Sequence, residues 1–183
     1  MKVQNDDHIV ALLLEQKTQD QGFRLLMQAY QEPLYWHIRR MVFDHDDAND
    51  VLQNTFIKVF RGITNFKGEA KLYTWLYRIA SNEAITFLNT RTKRGISSLD
   101  DDERIAPKLV ADSYFDGDET QRILQNAIAQ LPEKQRIVFT MRYFEETTYE
   151  QMSAILQTSE GALKASFHHA VKKIEAFVKQ LES

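Results

Sequence analysis

Four aspartates in the stretch DHDDAND, residues 44–50, and the adjacent pair His168 and His169 come nearest in this chain to a set of metal ligands. Neither set has the spacing. A calcium loop alternates its ligands and turns on a glycine, whereas the fifth position of the stretch is Ala48 and no glycine follows. Neighbouring residues on a helix point about 100° apart, so His168 and His169 do not converge on one ion. The aspartates suit helix capping instead. Carboxylates at a helix N-terminus accept from free backbone N–H groups and favour the macrodipole, which predicts a helix from Ala48 to Phe60. No phosphate-cradling glycine loop, nucleophile set or ligand-spaced histidine group occurs, and the chain has no cysteine. No enzymatic activity and no cofactor or metal are therefore expected.

The second chemistry is recognition of nucleic acid, and its candidate is TYEQMSAILQTSEGALKASFHHAVKKIEAF, starting at Thr148. Thr148 and Gln151 form a capping box, predicting a helix from Tyr149 to Leu156. After the turn QTS, Ser159 is placed to cap a second helix. Two helices around a short turn have helix-turn-helix geometry. On the second helix Leu163, Phe167, Ala170, Ile174, Phe177 and Leu181 define an apolar stripe. The opposite side carries Gly161, Ala165, His168 and Lys172, flanked by Lys164 and His169. Small residues and cations suit close approach to a duplex. The same face also reads as an ordinary solvated surface, and it holds no arginine, the residue that most often reads guanine.

The elements that position these residues are helical throughout. Apolar residues at 3- and 4-residue spacing predict two helices before Pro33 and a third starting at Pro33 and running through Val42. The helix after the aspartates is followed by the loop ITNFKGEAK and by a long apolar face from Leu72 to about residue 94. Trp75 falls on that face and reads as core. From Ser97 to about Gly117 periodicity lapses in an acidic, charge-rich stretch read as a flexible linker. The expected fold is all-α: a helical domain at 1–96, a linker at 97–118, and a helical domain at 119–183 with the helix-turn-helix.

Charge is distributed unevenly behind a net value of −3. Residues 61–96 carry 7 basic and 2 acidic groups, whereas 97–121 carry 2 and 8. Phosphate neutralisation dominates DNA affinity, so a chain that is acidic overall is expected to bind DNA with the help of a partner. The early run IVALLL follows an acidic flank and is too short to span a membrane. With the absence of cysteine this predicts a cytoplasmic protein without membrane insertion.

Taken in order, DHDDANDVLQNTFIKVFRGITNFKGEAKLYTWLYRIASN and LPEKQRIVFTMRYFEETTYEQMSAILQTSEGALKASFHHAVKKI resemble the extracytoplasmic-function (ECF) sigma factors of bacterial RNA polymerase. The resemblance covers nearly the whole chain apart from the linker. It implies a polymerase subunit that directs promoter-specific initiation, with core RNA polymerase and promoter DNA as partners and, as in many relatives, an anti-sigma protein. It assigns core-polymerase contact to Asp50, Gln53, Asn54 and Phe56, although Phe56 also reads as core and Asp50 as a cap. Capture of a flipped minus-10 base falls to Phe66 and Asn82, although Phe66 also reads as a buried loop anchor and Asn82 as a backbone-bonded helix residue, with Arg78, Arg91, Lys93 and Arg94 following the backbone. Minus-35 contact falls to Arg142, Lys164, Ala165, His168, His169 and Lys172. Relatives often carry arginine where this chain has Ser166 or His169, so their base preference does not carry over.

Overall fold

A computed structural model describes residues 6–66, 68, 70–93 and 119–181. Among these residues the elements are α1 (Asp6–Leu14), α2 (Gln19–Val42), α3 (His45–Gly62), a 3-10 turn at Ile63–Asn65, α4 (Leu72–Lys93), α5 (Glu119–Ala129), α6 (Glu133–Tyr143), α7 (Tyr149–Leu156) and α8 (Glu160–Leu181). The linker assigned to 97–118 lies outside the described residues.

One helix replaces the two expected on either side of Pro33: α2 runs straight through it. Proline cannot donate to the preceding turn and locally weakens a helix. Here the turns before it bury Leu26 and Tyr30, and those after it bury Leu34, Ile38 and Met41. That continuous apolar face outweighs the lost hydrogen bond. Gly22 is needed where α1 turns back onto α2, because a Cβ there would sit 2.8 Å from the Leu13 nitrogen. The third helix begins earlier than expected, at His45, because Asp44 is its cap: the Asp44 carboxylate accepts from the backbone N–H of Asp46 at 3.0 Å and of Asp47 at 3.1 Å.

In the C-terminal half the capping box forms as its residues dictate. Thr148 Oγ1 accepts from the Gln151 N–H at 3.2 Å, while Gln151 Oε1 accepts from the Thr148 N–H at 3.0 Å. Ser159 Oγ accepts from the Ala162 N–H at 3.3 Å and starts α8. The stripe of α8 is less uniform than its spacing implies. Leu163 and Ala170 are buried, but Leu181 is exposed, because the last turns run past the helices that cover the rest.

The two helical domains pack against each other, with α4 on α7 and α2 on α6. Ile137, Val138 and Met141 of α6, Met152 and Ile155 of α7, and Leu163 of α8 share one apolar core with Leu34, Ile38, Leu76 and Ala80. Phe43, just beyond α2, enters a second core with Ile128, Leu131, Phe139 and Ala170 of the C-terminal domain. Its φ of 63° is left-handed, a conformation that disfavours bulky side chains. A polar cluster closes the same seam. His37 is fully buried; its Nδ1 lies 3.0 Å from Glu145 Oε1 and its Nε2 lies 2.9 Å from Ser81 Oγ. Since a carboxylate accepts, Nδ1 carries the hydrogen.

Two buried phenols belong to this packing. Burial pushes the Tyr77 hydroxyl far above its ordinary value, as it does for Tyr30, whose hydroxyl also donates to Asp6 Oδ1 at 2.7 Å. The folded chain therefore holds both protons at pH values where the unfolded chain releases them, near pH 10. Stability from these groups is complete below about pH 10 and declines as pH rises beyond it, on the order of 1 kcal/mol per pH unit for each phenol. Thermal melts between pH 9 and 11.5 should show the midpoint falling, and Tyr77→Phe should reduce the slope. A slope unchanged by that substitution would show that Tyr77 does not contribute.

Candidate nucleic-acid and partner interfaces

Between α2 and α3 lies an apolar groove of about 750 Å³, lined by Phe23, Met27, Leu52, Phe56, Ile57 and Phe60. Phe23 meets Phe56 and Phe60 edge-on, with ring centroids 6.3 and 5.3 Å apart. Phe56 is buried and forms the floor of the groove, whereas Phe60 is 50% and Ile57 41% exposed. Gln53 lines the same groove, and Asp50 and Asn54 are exposed on α3. Thus three of the four residues assigned to polymerase contact are accessible, and the fourth supports the apolar surface between them. Ile57 and Phe60 were not singled out in the sequence. Their signal was available, since Ile57 lies about 100° around the helix from Phe56, off the buried stripe of Val51, Leu52, Thr55, Phe56 and Val59.

A second pocket, about 490 Å³, opens between the end of α3 and α4 and is lined by Lys58, Arg61, Asn65, Trp75, Asn82 and Glu83, with Gly62 and Ile79. Asn82 is exposed on its wall. Phe66 does not offer a stacking face there, which corrects the stacking role implied for it and leaves the other reading, a buried loop anchor. The 3-10 turn closes with the Phe66 N–H donating to Ile63 O at 3.0 Å, and the ring, 7% exposed, packs inward against Trp75 at 5.0 Å between centroids. Trp75, expected as core, is half-buried: it packs against the main core and also lines the pocket. Lys58 is ion-paired with Glu83 at the rim.

Two of the four cations expected to follow DNA are already engaged. Arg78 donates from Nε and Nη2 to the Ala154 carbonyl of α7, at 3.0 and 2.6 Å, across the domain seam. Arg91 pairs with Asp47 of α3 and lies over the Phe87 ring at 5.8 Å. Lys93 is the last residue of α4; its side chain and Arg94 lie outside the described residues.

On the reader, Ala165, His168, His169 and Lys172 are exposed on α8, as the 3.6-residue period requires. Lys164 pairs with Glu160 at 3.3 Å and lies over the Tyr149 ring at 5.5 Å. Arg142 covers that ring as well, at 5.4 Å, and donates to Thr147 O at 3.3 Å. Tyr149, half-buried at the start of α7, thus gathers the two cations beside the reader. Among the described residues no group of three or more His, Asp or Glu could hold a metal ion, and no helix is long and apolar enough to cross a membrane.

Comparisons with known proteins agree with this architecture. Residues 26–94 match the family model for sigma-70 region 2, and residues 121–174 match that for sigma-70 region 4. The chain is 31% identical over 175 residues to the RNA polymerase sigma-H factor of Pseudomonas aeruginosa, with 91% of each chain covered. It is also 31% identical over 181 residues to the ECF RNA polymerase sigma-E factor of Escherichia coli, again covering 91% of each. Among solved structures, CnrH in complex with the cytosolic domain of CnrY shares the fold with a TM-score of 0.69 at 18% identity, over 96% of this chain and 98% of that one. The sigma factor RpoE of Bartonella quintana, in complex with the anti-sigma factor NepR, gives 0.65 at 21% identity, over 87% and 98%. Region 2 followed by region 4 is the arrangement of a sigma-70-type initiation factor. The chain belongs to the ECF sigma factors of bacterial RNA polymerase, non-catalytic proteins of transcription initiation that act with core polymerase on promoter DNA.

Proposed function

We propose that the N-terminal domain docks on core polymerase through the α2–α3 groove and opens the minus-10 element by capturing a flipped base, while α8 reads the minus-35 element. The observation that carries this reading is the pocket in which Asn82, able both to donate and to accept, stands beside the half-buried Trp75. A flipped base needs a stacking face and hydrogen-bonding groups for its edge. Binding energy then opens the strands, without nucleotide hydrolysis. Docking falls to Gln53, Asp50 and Asn54 around the apolar floor made by Phe56. Minus-35 contact falls to Arg142, Lys164 and Lys172 at the phosphates and to Ala165, His168 and His169 toward the bases, with DNA shape contributing where bidentate arginine is lacking.

The domain seam adds a step. The two promoter elements are centred about 25 base pairs apart, about 85 Å along B-DNA at roughly 3.4 Å per pair. A chain in which Arg78 bonds to the first helix of the reader cannot occupy both, so the seam opens on the promoter and Arg78 exchanges a carbonyl for phosphate. An anti-sigma partner is proposed as well: CnrH and RpoE, which share this fold, are each seen in complex with another protein, NepR being an anti-sigma factor.

Run-off transcription with purified core polymerase tests the reading. Asn82→Ala is expected to slow open-complex formation at least about tenfold and to relax preference at one minus-10 position, as loss of a good base contact does. Wild-type protein that neither associates with core polymerase nor supports initiation would sink the assignment.

A further inference from the structure

Glu83 stands beside Asn82 in the pocket, with its side chain only 13% exposed, and no part of the promoter reading uses it. A carboxylate is an unexpected wall for a site that receives a polyanion. Its charge is met locally: Lys58 pairs with Glu83 Oε1, and Arg61 lines the same pocket, so these three groups leave it net cationic. The carboxylate is therefore tolerated near phosphate, and its effect falls on the base edge.

We propose that Glu83 makes this pocket select a captured base bearing an exocyclic amino group and reject thymine. The inference rests on the base-capture reading and specifies its ligand. An ion-paired carboxylate only accepts hydrogen bonds, and with one oxygen held by Lys58 the group retains acceptor sites for a base. Adenine, cytosine and guanine each present an amino group; thymine presents two carbonyl oxygens around a single N–H. Beside Glu83 those carbonyls set oxygen against oxygen. Asn82 cannot impose this choice, because its amide both donates and accepts and can turn to suit either edge. Trp75 cannot either, because every base has a face to stack. Of the groups that line the pocket, Glu83 is thus the one that can only accept, whereas Lys58 and Arg61 only donate.

The test uses the full chain with core polymerase and a promoter library randomised across both elements, with open complexes isolated and sequenced. Wild-type protein should deplete thymine about tenfold at one minus-10 position. Glu83→Gln keeps the shape and adds an N–H donor for a thymine carbonyl, so it should restore thymine there to within about twofold of the other bases. Lys58→Met removes the ion pair but keeps the carboxylate, and should keep the depletion. Thymine enrichment at that position in the wild type, or equal base profiles for Glu83→Gln and the wild type, would overturn the inference. If Asn82→Ala shifts the profile while Glu83→Gln does not, Glu83 is only an ion-pair partner and the pocket stands. If neither shifts it, base capture here fails as well.

Discussion

Replacing Ile57 and Phe60 together with aspartate is expected to lower affinity for core polymerase by at least about a hundredfold and to abolish run-off transcription at limiting polymerase. Exposed apolar side chains over a preformed groove, with Phe23 and Phe56 beneath them, are the arrangement in which a few residues dominate an interface. Truncating such anchors costs about 2 kcal/mol or more, and about 2.7 kcal/mol is a hundredfold. Because Phe60 and Ile57 are substantially exposed, the folded chain loses little apolar burial, and its thermal midpoint should move by only a few degrees. Co-migration with core polymerase, alongside a thermal melt, checks both halves. Undiminished association of the folded double variant would place the docking surface elsewhere on the domain.

Phe43→Gly should separate the domains while leaving their helices intact. The ring is 5% exposed, fills the second core and carries the Arg136 guanidinium over its face at 4.9 Å. Deleting a buried phenylalanine side chain costs about 3–5 kcal/mol. Holding a non-glycine residue in the left-handed conformation costs about 1–2 kcal/mol, which glycine recovers as a natural helix C-terminal cap. The net loss of a few kcal/mol falls on the seam, because the residue 43 N–H can still donate to Arg39 O and close α2. X-ray scattering should show a larger radius of gyration at unchanged far-ultraviolet dichroism. Transcription at limiting protein should rise if the closed arrangement competes with promoter binding. An unchanged radius would show that His37, Glu145 and the α4–α7 contacts hold the domains without the ring.

Local chemistry accounts for what was legible before folding. The Thr148–Gln151 box and Ser159 determine their helix starts because each satisfies backbone N–H groups within three residues of itself, whereas among the four aspartates the sequence did not single out Asp44 as the cap, and α3 starts three residues before the expected Ala48. The exposed reader face follows from the 3.6-residue period, which places Ala165, His168 and Lys172 opposite Leu163 and Ala170. The same local rules failed at Pro33, where burial on both sides of the residue overrides its weak propensity. They left the aromatic pair undecided. Phe66 and Trp75 are both apolar and nine residues apart, and only their mutual packing decides which is covered and which lines the pocket.

By itself, then, the order of residues determined the helical class, the caps, the helix-turn-helix and the family, because each depends on contacts within a few turns or on patterns along the chain. Tertiary structure decided the rest. It placed Lys58 and Glu83, 25 residues apart, in one pocket, and His37 and Glu145, 108 apart, in one seam. It also turned Arg78 from an apparent free cation into a bond between domains. Such contacts arise from the packing of several helices at once, and neither partner's neighbours in sequence carry a trace of the other.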